Sequence, residues 1–300
     1  MKQVCVVTGA TGGIGSACVK QMCELGYTVV VSDINEEKIN AKVEEMRALG
    51  YEAEGLVCDT SSPAQCGALA EFAASLGRVQ GVIQLAGLTP AFATARDLVK
   101  VDVLGTMYIN EAFYRVMEPG AAIMDICSCA GHFMPQAMWP EDIFELSLTD
   151  KDKFLEEFVE YLEDFGDGPT ASNMAYVYGR SFVWWYARKC NYPFGRNKGI
   201  RVNTVSIGLV ETPQSIADLK AVGDYDERMG QQMSYSGFGR PGTPEEVAFC
   251  IATTIDIRNS YLSGCDIYFD NGCDANGYMG QFDPFDPSTV VYDPEQTIKI

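Results

Sequence analysis

The sequence predicts an α/β fold in which a doubly wound, seven-stranded parallel sheet carries helices on both faces. Three observations lead to this prediction. Short apolar runs rich in β-branched residues alternate along the chain with longer helical segments. The first of these runs is followed at once by a glycine-rich turn. Hydrophobic residues make up 47% of the 300 residues, which is enough to bury the core of one large domain.

The first unit of this alternation has the order strand, helix, strand and spans about thirty residues. Residues 4–8 are a short apolar run, typical of a strand that is buried on both faces. Residues 16–25 are predicted to form a helix, and Gly26 is typical of a helix C-terminus. Residues 28–32 are the second buried strand. A helix that connects two such strands indicates that they pair in parallel.

The alternation continues along most of the chain. Further strands are predicted at residues 54–58, 81–85, 121–127, 201–206 and 265–269. Further helices are predicted at residues 36–49, 63–76, 98–117, 175–190 and 244–254. Because no internal repeat or low-complexity linker divides these elements, we expect a single domain over residues 1–300.

Two segments are additions to this alternation. The first is an insertion at about residues 135–172, with eleven acidic residues and two lysines. Its apolar residues from Phe154 to Phe165 recur at helical spacing and predict an amphipathic helix. This apolar stripe is expected either to roof a substrate cleft or to contact another subunit. The second addition is a C-terminal extension at residues 273–300, which shows no clear periodicity.

The net charge of -19 excludes some classes of function. Phosphate backbones and anionic membranes would repel such a protein, so neither nucleic acid nor membrane is an expected partner. The eleven cysteines form no CxxC pair, and Cys127 and Cys129 are too isolated to predict a metal centre. We therefore expect a cytoplasmic protein with reduced, mostly buried thiols and no metal site.

The glycine-rich turn Thr8-Gly9-Ala10-Thr11-Gly12-Gly13-Ile14-Gly15 joins the first strand to the first helix. Glycines allow a tight turn and a close approach to a pyrophosphate, and the helix N-terminus supplies free N–H groups. Asp33 ends the second strand, 18 positions after Gly15. A carboxylate there accepts hydrogen bonds from both hydroxyls of an adenosine ribose and repels a 2′-phosphate. No Arg or Lys stands near the turn or directly after Asp33 to bind such a phosphate, and the pattern therefore indicates NAD rather than NADP.

Further motifs extend the pattern. Ala86-Gly87 follows the fourth strand, Ile126-Cys127-Ser128-Cys129-Ala130-Gly131 ends the fifth, and Ile207-Gly208-Leu209-Val210-Glu211-Thr212 follows the sixth. With the glycine turn and Asp59, these motifs resemble the short-chain dehydrogenase/reductase (SDR) family, including its hydroxysteroid dehydrogenase-like members. The resemblance covers residues 2 to about 272 without the insertion. It implies a Rossmann-type fold, and a homotetramer or homodimer.

The resemblance also implies a catalytic set, which consists of Ser128, Tyr176, Arg180 and Asp102. Tyr176 is followed four positions later by a basic residue, whereas Tyr178 is followed at that distance by Phe182. The implied cofactor-binding residues are Gly9, Thr11, Gly12, Gly13, Ile14, Asp33, Ile34, Cys58, Asp59, Thr60, Ala86, Gly87, Tyr176, Arg180, Gly208, Val210 and Thr212. Tyr176 would exchange a proton with the substrate hydroxyl, and Ser128 would steady the substrate oxygen.

Two catalytic positions depart from the family pattern. Arg180 stands where the family has lysine, and Asp102 stands where it has asparagine. One hypothesis is a joint replacement of the asparagine–lysine pair. The other is a weakened or inactive enzyme. His132, the only histidine, follows the serine motif, where it is either a catalytic residue of the cleft or a hydrogen-bonded loop residue.

The expected reaction is hydride transfer between nicotinamide and a secondary alcohol or ketone. A bulky apolar substrate such as a hydroxysteroid or bile acid is favoured, because the loop at residues 213–238 offers Met229, Met233 and Tyr235 as a second apolar wall. The alternatives are a dehydrogenase of a small polyol or sugar, and a non-catalytic NAD-binding sensor or scaffold.

Overall fold

The computed structural model describes residues 2–273 and shows a seven-stranded parallel sheet. The strands are β1 (Gln3–Thr8), β2 (Thr28–Asp33), β3 (Ala53–Val57), β4 (Arg78–Gln84), β5 (Ala122–Ser128), β6 (Arg201–Ile207) and β7 (Asp266–Phe269). Their spatial order is β3-β2-β1-β4-β5-β6-β7. The chain therefore runs outward from β1 in one direction and then from β4 in the other, and the predicted doubly wound sheet is confirmed.

Helices cover both faces of this sheet. They are α1 (Gly13–Glu24), α2 (Glu36–Ala48), α3 (Pro63–Leu76), α4 (Ala95–Leu98), α5 (Gly105–Val116), α6 (Glu141–Leu146), α7 (Lys151–Glu163), α8 (Pro169–Lys198), α9 (Pro213–Val222), α10 (Tyr225–Met233) and α11 (Pro244–Ile255). Alternate residues of β1 point to opposite faces, as strand geometry requires. Val4 and Val6 lie in one core cluster with α3, α5 and α8. Cys5 and Val7 lie in the other with α1, α2 and α11.

The helix predicted at residues 98–117 has an irregular centre. A π-helical segment at Val99–Leu104 joins α4 to α5 without a break, and it carries the buried Asp102. A π turn holds more residues per turn than an α-helix, and such turns are frequent at functional sites. The segment changes the direction in which its side chains leave the helix axis.

Helix α8 is 30 residues long and extends well beyond the predicted residues 175–190 at both ends. It begins with Pro169, which suits a first helical position because its missing N–H would have no partner there. It continues past Pro193, although proline usually ends a helix, and it stops at Gly199 in the left-handed conformation.

The insertion forms α6 and α7, which pack against aromatic residues of α8. Phe144 and Phe158 are fully buried, and their ring centroids are 5.6 Å apart. Phe144 also lies 5.1 Å from Phe182 of α8, at an angle typical of edge-to-face aromatic pairs. The expectation that this stripe roofs the substrate cleft is wrong, because Phe154, Phe158 and Leu162 are fully buried in the core with α8 and no residue of α7 lines the large cleft described below.

Residues 213–238, expected as a loop, contain the two short helices α9 and α10. Both have clear N-terminal signals: Thr212 and Ser215 form a capping box around Pro213, and the carboxylate of Asp224 caps α10. All eleven cysteines are free thiols, and eight of them are buried. Among the described residues, no helix is long and apolar enough to cross a membrane. The predicted extension at residues 273–300 lies, after Cys273, outside the described residues.

Candidate active site

The glycine turn connects β1 to α1 and leaves its backbone open to a ligand. Gly9 has a φ of +60°, and a Cβ there would lie 2.8 Å from the backbone nitrogen of Ala86. A Cβ on Gly13 would lie 2.8 Å from the methyl group of Thr212. The turn therefore needs glycine for close packing against the loops that follow β4 and β6. The N-terminus of α1 begins beside it, with its N–H groups and the positive end of its dipole.

Asp33 lies at the end of β2 and is held in place by the glycine turn. Its Oδ2 accepts hydrogen bonds from the backbone nitrogen of Thr11 at 3.1 Å and from the Thr11 hydroxyl at 2.7 Å. Its Oδ1 accepts from the backbone nitrogen of Ile34 at 2.8 Å. Because each carboxylate oxygen has further lone pairs, these contacts orient the group without using up its capacity as an acceptor.

A single cleft with a volume of about 1140 Å³ runs along the carboxyl edge of the sheet. All of the predicted cofactor-binding residues line it, together with Ser128. They are Gly9, Thr11, Gly12, Gly13, Ile14, Asp33, Ile34, Cys58, Asp59, Thr60, Ala86, Gly87, Tyr176, Arg180, Gly208, Val210 and Thr212. Asp102 does not line the cleft. It is 3% exposed and lies behind Arg180.

Ser128 and Tyr176 face the middle of this cleft from neighbouring elements. Ser128 is the last residue of β5, and its hydroxyl accepts a hydrogen bond from the backbone nitrogen of Ala130 at 3.2 Å. Tyr176 lies in the second turn of α8, one turn before Arg180. The guanidinium carbon of Arg180 is 4.9 Å from the centre of the Tyr176 ring, so a cation lies against the aromatic side chain.

Arg180 and Asp102 form a buried ion pair. Nη2 of Arg180 donates to Oδ2 of Asp102 at 2.8 Å, and Nη1 donates to the carbonyl oxygen of Ile126 at 3.1 Å. The other oxygen of Asp102 accepts from the backbone nitrogen of Leu88 at 2.7 Å. The pair therefore ties α8 to the π segment, to β5 and to the loop after β4. Gly87 leaves room for it, since a Cβ there would lie 3.1 Å from Nη2.

Burial and pairing act in opposite directions on this pair. Burial raises the pKa of Asp102 to about 6, although Arg180 and the Leu88 N–H favour the charged form. Burial opposes the charge of Arg180, but Asp102 and Tyr176 more than offset it and raise the pKa of Arg180 above its usual value. Arg180 is thus a permanent cation beside Tyr176.

His132 lies outside the cleft. Its Nε2 is 2.9 Å from a carboxylate oxygen of Asp266 and 3.0 Å from the hydroxyl of Ser206. Its ring packs between those of Trp184 and Tyr268, with centroid distances of 4.4 and 4.3 Å. His132 is therefore a hydrogen-bonded loop residue that joins the serine loop to β6 and β7.

The sequence interpretation missed several residues of the cleft. Its outer part contains polar side chains from the loop after β4 and from α9 and α10, namely Thr89, Gln214, Asp218, Arg228, Gln231 and Gln232. Of the expected apolar wall, only Tyr235 lines the cleft, and Met233 is buried. Lys38, five positions after Asp33, also lines the cleft, a basic residue that the sequence interpretation did not place there. The N-cap signals at Thr212 and Asp224 could have revealed the two helices.

A glycine turn at the start of α1, an acidic residue at the end of β2, and a serine and a tyrosine in one cleft are the features of an oxidoreductase that uses a dinucleotide. Comparisons with known proteins give the family. Residues 3–141 match the family model described as short chain dehydrogenase, and residues 175–274 match that described as enoyl-(acyl carrier protein) reductase. The chain belongs to the short-chain dehydrogenase/reductase family.

Its relatives are similar over nearly their whole lengths. A short-chain dehydrogenase/reductase of Alternaria brassicicola is 25% identical over 278 residues, which cover 91% of this chain and 96% of the relative. A 3-alpha-hydroxysteroid dehydrogenase/carbonyl reductase of Comamonas testosteroni is 25% identical over 279 residues, with the same coverage. Among solved structures, an actinorhodin polyketide ketoreductase with NADPH has a TM-score of 0.72 at 21% identity, covering 91% of this chain and 97% of that one. This structural likeness concerns the fold.

Proposed function

We propose that this protein is an NAD-dependent oxidoreductase that transfers hydride between nicotinamide and a secondary alcohol or ketone. The observation that carries the proposal is that Ser128 and Tyr176 line the same cleft as the glycine turn and Asp33. The glycine turn and Asp33 fit a dinucleotide, and Ser128 and Tyr176 offer two hydroxyl groups at which a proton can be exchanged.

The residues of the cleft fit a nicotinamide cofactor. Gly9, Gly12 and Gly13 line the cleft, and a Cβ on Gly9 or Gly13 would collide with the loops after β4 and β6, so the turn can keep this shape beside a pyrophosphate only with glycine. When bound, the cofactor would supply the hydride acceptor or donor at its nicotinamide ring. Gly9 to Ile14 would hold the pyrophosphate and Asp33 the adenosine ribose. Val210 and Thr212 would hold the carboxamide and so fix which ring face reacts.

The preference for NAD rests on Asp33. Thr11 and Ile34 hold its carboxylate at the adenosine end of the cleft, where a 2′-phosphate would meet a fixed negative charge. Lys38 lines the same end, but its side chain is exposed and screened by solvent. The carboxylate therefore dominates this end of the cleft.

In the proposed reaction, Tyr176 takes the hydroxyl proton of the alcohol during oxidation and returns it during reduction. Ser128 donates a hydrogen bond to the same oxygen and stabilises its charge. The Arg180 cation lies beside the Tyr176 ring, and the buried Asp102 holds this cation in place, so a positive charge faces the side chain that exchanges the proton. This assignment makes Arg180 and Asp102 a joint replacement that preserves a positive charge at the site.

A bulky apolar substrate, such as a hydroxysteroid or bile acid, suits the outer part of the cleft. Phe133 is 59% exposed and Tyr235 is 46% exposed, and both line it, so two aromatic surfaces are available to a flat apolar body. The relative from Comamonas testosteroni is named as a 3-alpha-hydroxysteroid dehydrogenase. A small polyol or sugar is the second candidate, because Gln214, Gln231 and Gln232 can hydrogen-bond hydroxyl groups.

The test is NADH formation by the purified protein with a panel of hydroxysteroids, bile acids and polyols, run in parallel with NAD and NADP. We expect turnover with NAD, strongest among the hydroxysteroids, and loss of at least about 100-fold in kcat for Tyr176→Phe, which keeps the ring but removes the hydroxyl. Tight NADH binding without turnover of any panel member would instead support a non-catalytic sensor or scaffold. Turnover confined to the polyols would support the second candidate.

A further inference from the structure

A hydrogen-bonded cluster joins the two walls of the cleft. The hydroxyl of Thr89, in the loop after β4, donates to Oδ1 of Asp218 in α9 at 2.7 Å. Gln214, one helical turn before Asp218, donates its amide to the same Oδ1 at 3.1 Å and to the Thr89 hydroxyl at 3.3 Å. All three residues line the cleft. We call this cluster the α9 clasp.

The strand order places the α9 clasp above the reacting groups. β4 and β6 are the two neighbours of β5, which ends at Ser128. The loop that leaves β4 and the helix that follows β6 therefore approach each other across the end of β5. The clasp is where they meet, so it spans the part of the cleft in front of Ser128.

The start of helix α9 also contacts the glycine turn. Its N-cap, Thr212, packs against the glycine turn, where a Cβ on Gly13 would touch the Thr212 methyl group. The hydroxyl of Ser215 donates to the carbonyl oxygen of Val210 at 2.7 Å, which fixes the start of the helix. The N-terminus of α9 is therefore held at the glycine turn, and Asp218 in its second helical turn is held by Thr89. In this way α9 bridges the cleft.

We infer that Asp218 is a positioning residue whose hydrogen bond to Thr89 holds α9 closed over the nicotinamide half of the cofactor and slows cofactor release. This inference rests on the proposed function, because it assumes that a nicotinamide cofactor lies below α9. Release requires α9 to lift, and lifting requires the clasp to open. Opening of such elements limits turnover in many enzymes.

The experiment is a stopped-flow measurement of NADH release from the full-length protein, with excess NAD as the displacing ligand. Thr89→Val and Asp218→Leu remove the hydrogen bond, and we expect each to speed release about 5- to 10-fold, since hydrogen bonds to charged groups are among the stronger ones. Thr89→Ser keeps the hydroxyl donor and Asp218→Asn keeps an oxygen acceptor, so both variants are expected to release NADH at about the slow wild-type rate. Thr253→Val, on the exposed side of α11, controls for loss of a threonine hydroxyl elsewhere.

The outcomes separate this inference from the proposed function. If the wild-type protein does not bind NADH, the proposed function itself is refuted. If NADH binds but all four clasp variants release it at the wild-type rate, the inference is refuted and the proposed function stands. Equal acceleration by Asp218→Asn and Asp218→Leu would also refute it, because only the second removes the acceptor. Faster release with kcat raised and thermal stability unchanged would support it.

Discussion

Asp125 lies on β5, three residues before Ser128, and its carboxyl group is fully buried. One oxygen accepts a hydrogen bond from the amide of Asn110 at 2.7 Å, while Oδ1 of Asp125 and Oδ1 of Asn110 are buried without a partner. Burial raises the pKa of Asp125 from 3.8 to about 7, although the Asn110 hydrogen bond favours the charged form. The group is therefore a carboxylic acid that is mostly protonated below about pH 7.

Replacing Asp125 by asparagine is expected to stabilise the fold at alkaline pH. The pKa of Asp125 is raised from 3.8 to about 7, a change of roughly 3 units. Because one unit corresponds to about 1.4 kcal/mol, the charged carboxylate lowers the stability of the fold above pH 7 by at most about 4 kcal/mol. Asparagine removes this cost. Its amide can also donate to the unpartnered Oδ1 of Asn110, so both buried amides gain a partner.

The direction of the pH dependence follows from the raised pKa. Between about pH 4 and pH 7 the folded state binds more protons at Asp125 than the unfolded state does, so the wild-type stability at this site falls as the pH rises. The advantage of Asp125→Asn is therefore largest at pH 8 and shrinks by about 1.4 kcal/mol per unit below pH 7. Urea unfolding at pH 5 and pH 8 measures it.

A second buried aspartate provides the control. Asp266 accepts hydrogen bonds from the hydroxyls of Thr204 and Ser206 and lies 2.9 Å from Nε2 of His132, so an amide nitrogen there would face donors. We expect Asp266→Asn to destabilise the fold by about 1–3 kcal/mol. If Asp125→Asn were also destabilising at pH 8, or if its effect were the same at both pH values, the assignment of Asp125 as a neutral acid would be wrong.

Three further predictions concern the cleft. Arg180→Met and Asp102→Asn should each lower the free energy of unfolding by about 3 kcal/mol, because each leaves a buried group without its partner. The double variant Arg180→Lys with Asp102→Asn should recover part of this loss, and urea unfolding measures all three variants. Asp33→Ser should raise the KM for NAD about 10-fold or more and improve the use of NADP, because it removes the negative charge at the adenosine end and leaves the positive charge of Lys38. Initial rates with both cofactors measure this change. Gly9→Ala should abolish NADH binding in a fluorescence titration, because alanine is strained at a φ of +60° and its Cβ would meet Ala86.

The chain offers matched controls for these variants. Arg96 and Glu156 form a bidentate ion pair on the exposed surface. A double-mutant cycle on this pair should give a much smaller coupling energy than a cycle on Asp102 and Arg180. A Cβ on Gly67, in the middle of α3, would meet nothing within 4 Å, so Gly67→Ala should leave NADH binding intact. Equal coupling in both ion pairs, or equal loss of binding in both glycine variants, would contradict the predictions.

Local patterns carried enough information to predict the sheet and the cofactor side of the cleft. Strands β1 and β2 are apolar, β-branched and buried on both faces, so their residue types and their environment agree. The glycine turn and Asp33 lie at fixed distances along the chain from these strands. The one-turn spacing of Tyr176 and Arg180 likewise puts both side chains on one side of α8.

Contacts between distant segments were the part that local patterns could not supply. The stripe on α7 predicted a helix with one buried face, but the identity of its partner depends on the aromatic side chains of α8, such as Phe182. The Asp102–Arg180 pair joins residues 78 positions apart. Local signals for the two short helices were present, since Tyr225, Met229 and Met233 recur at helical spacing in α10 and the N-caps Thr212 and Asp224 mark where α9 and α10 begin.

The π turn at Val99–Leu104 makes this helix sensitive to its length as well as to its composition. An α-helix advances by about 100° per residue, so deleting Val103 would regularise the turn and rotate the preceding segment, which includes Asp102, by that angle relative to α5. Asp102 and Arg180 could then no longer meet, even with every side chain of the pair unchanged. The ion pair therefore requires the extra residue of the π turn as well as its two side chains. Substitution alone cannot create the pair in a helix that lacks this residue.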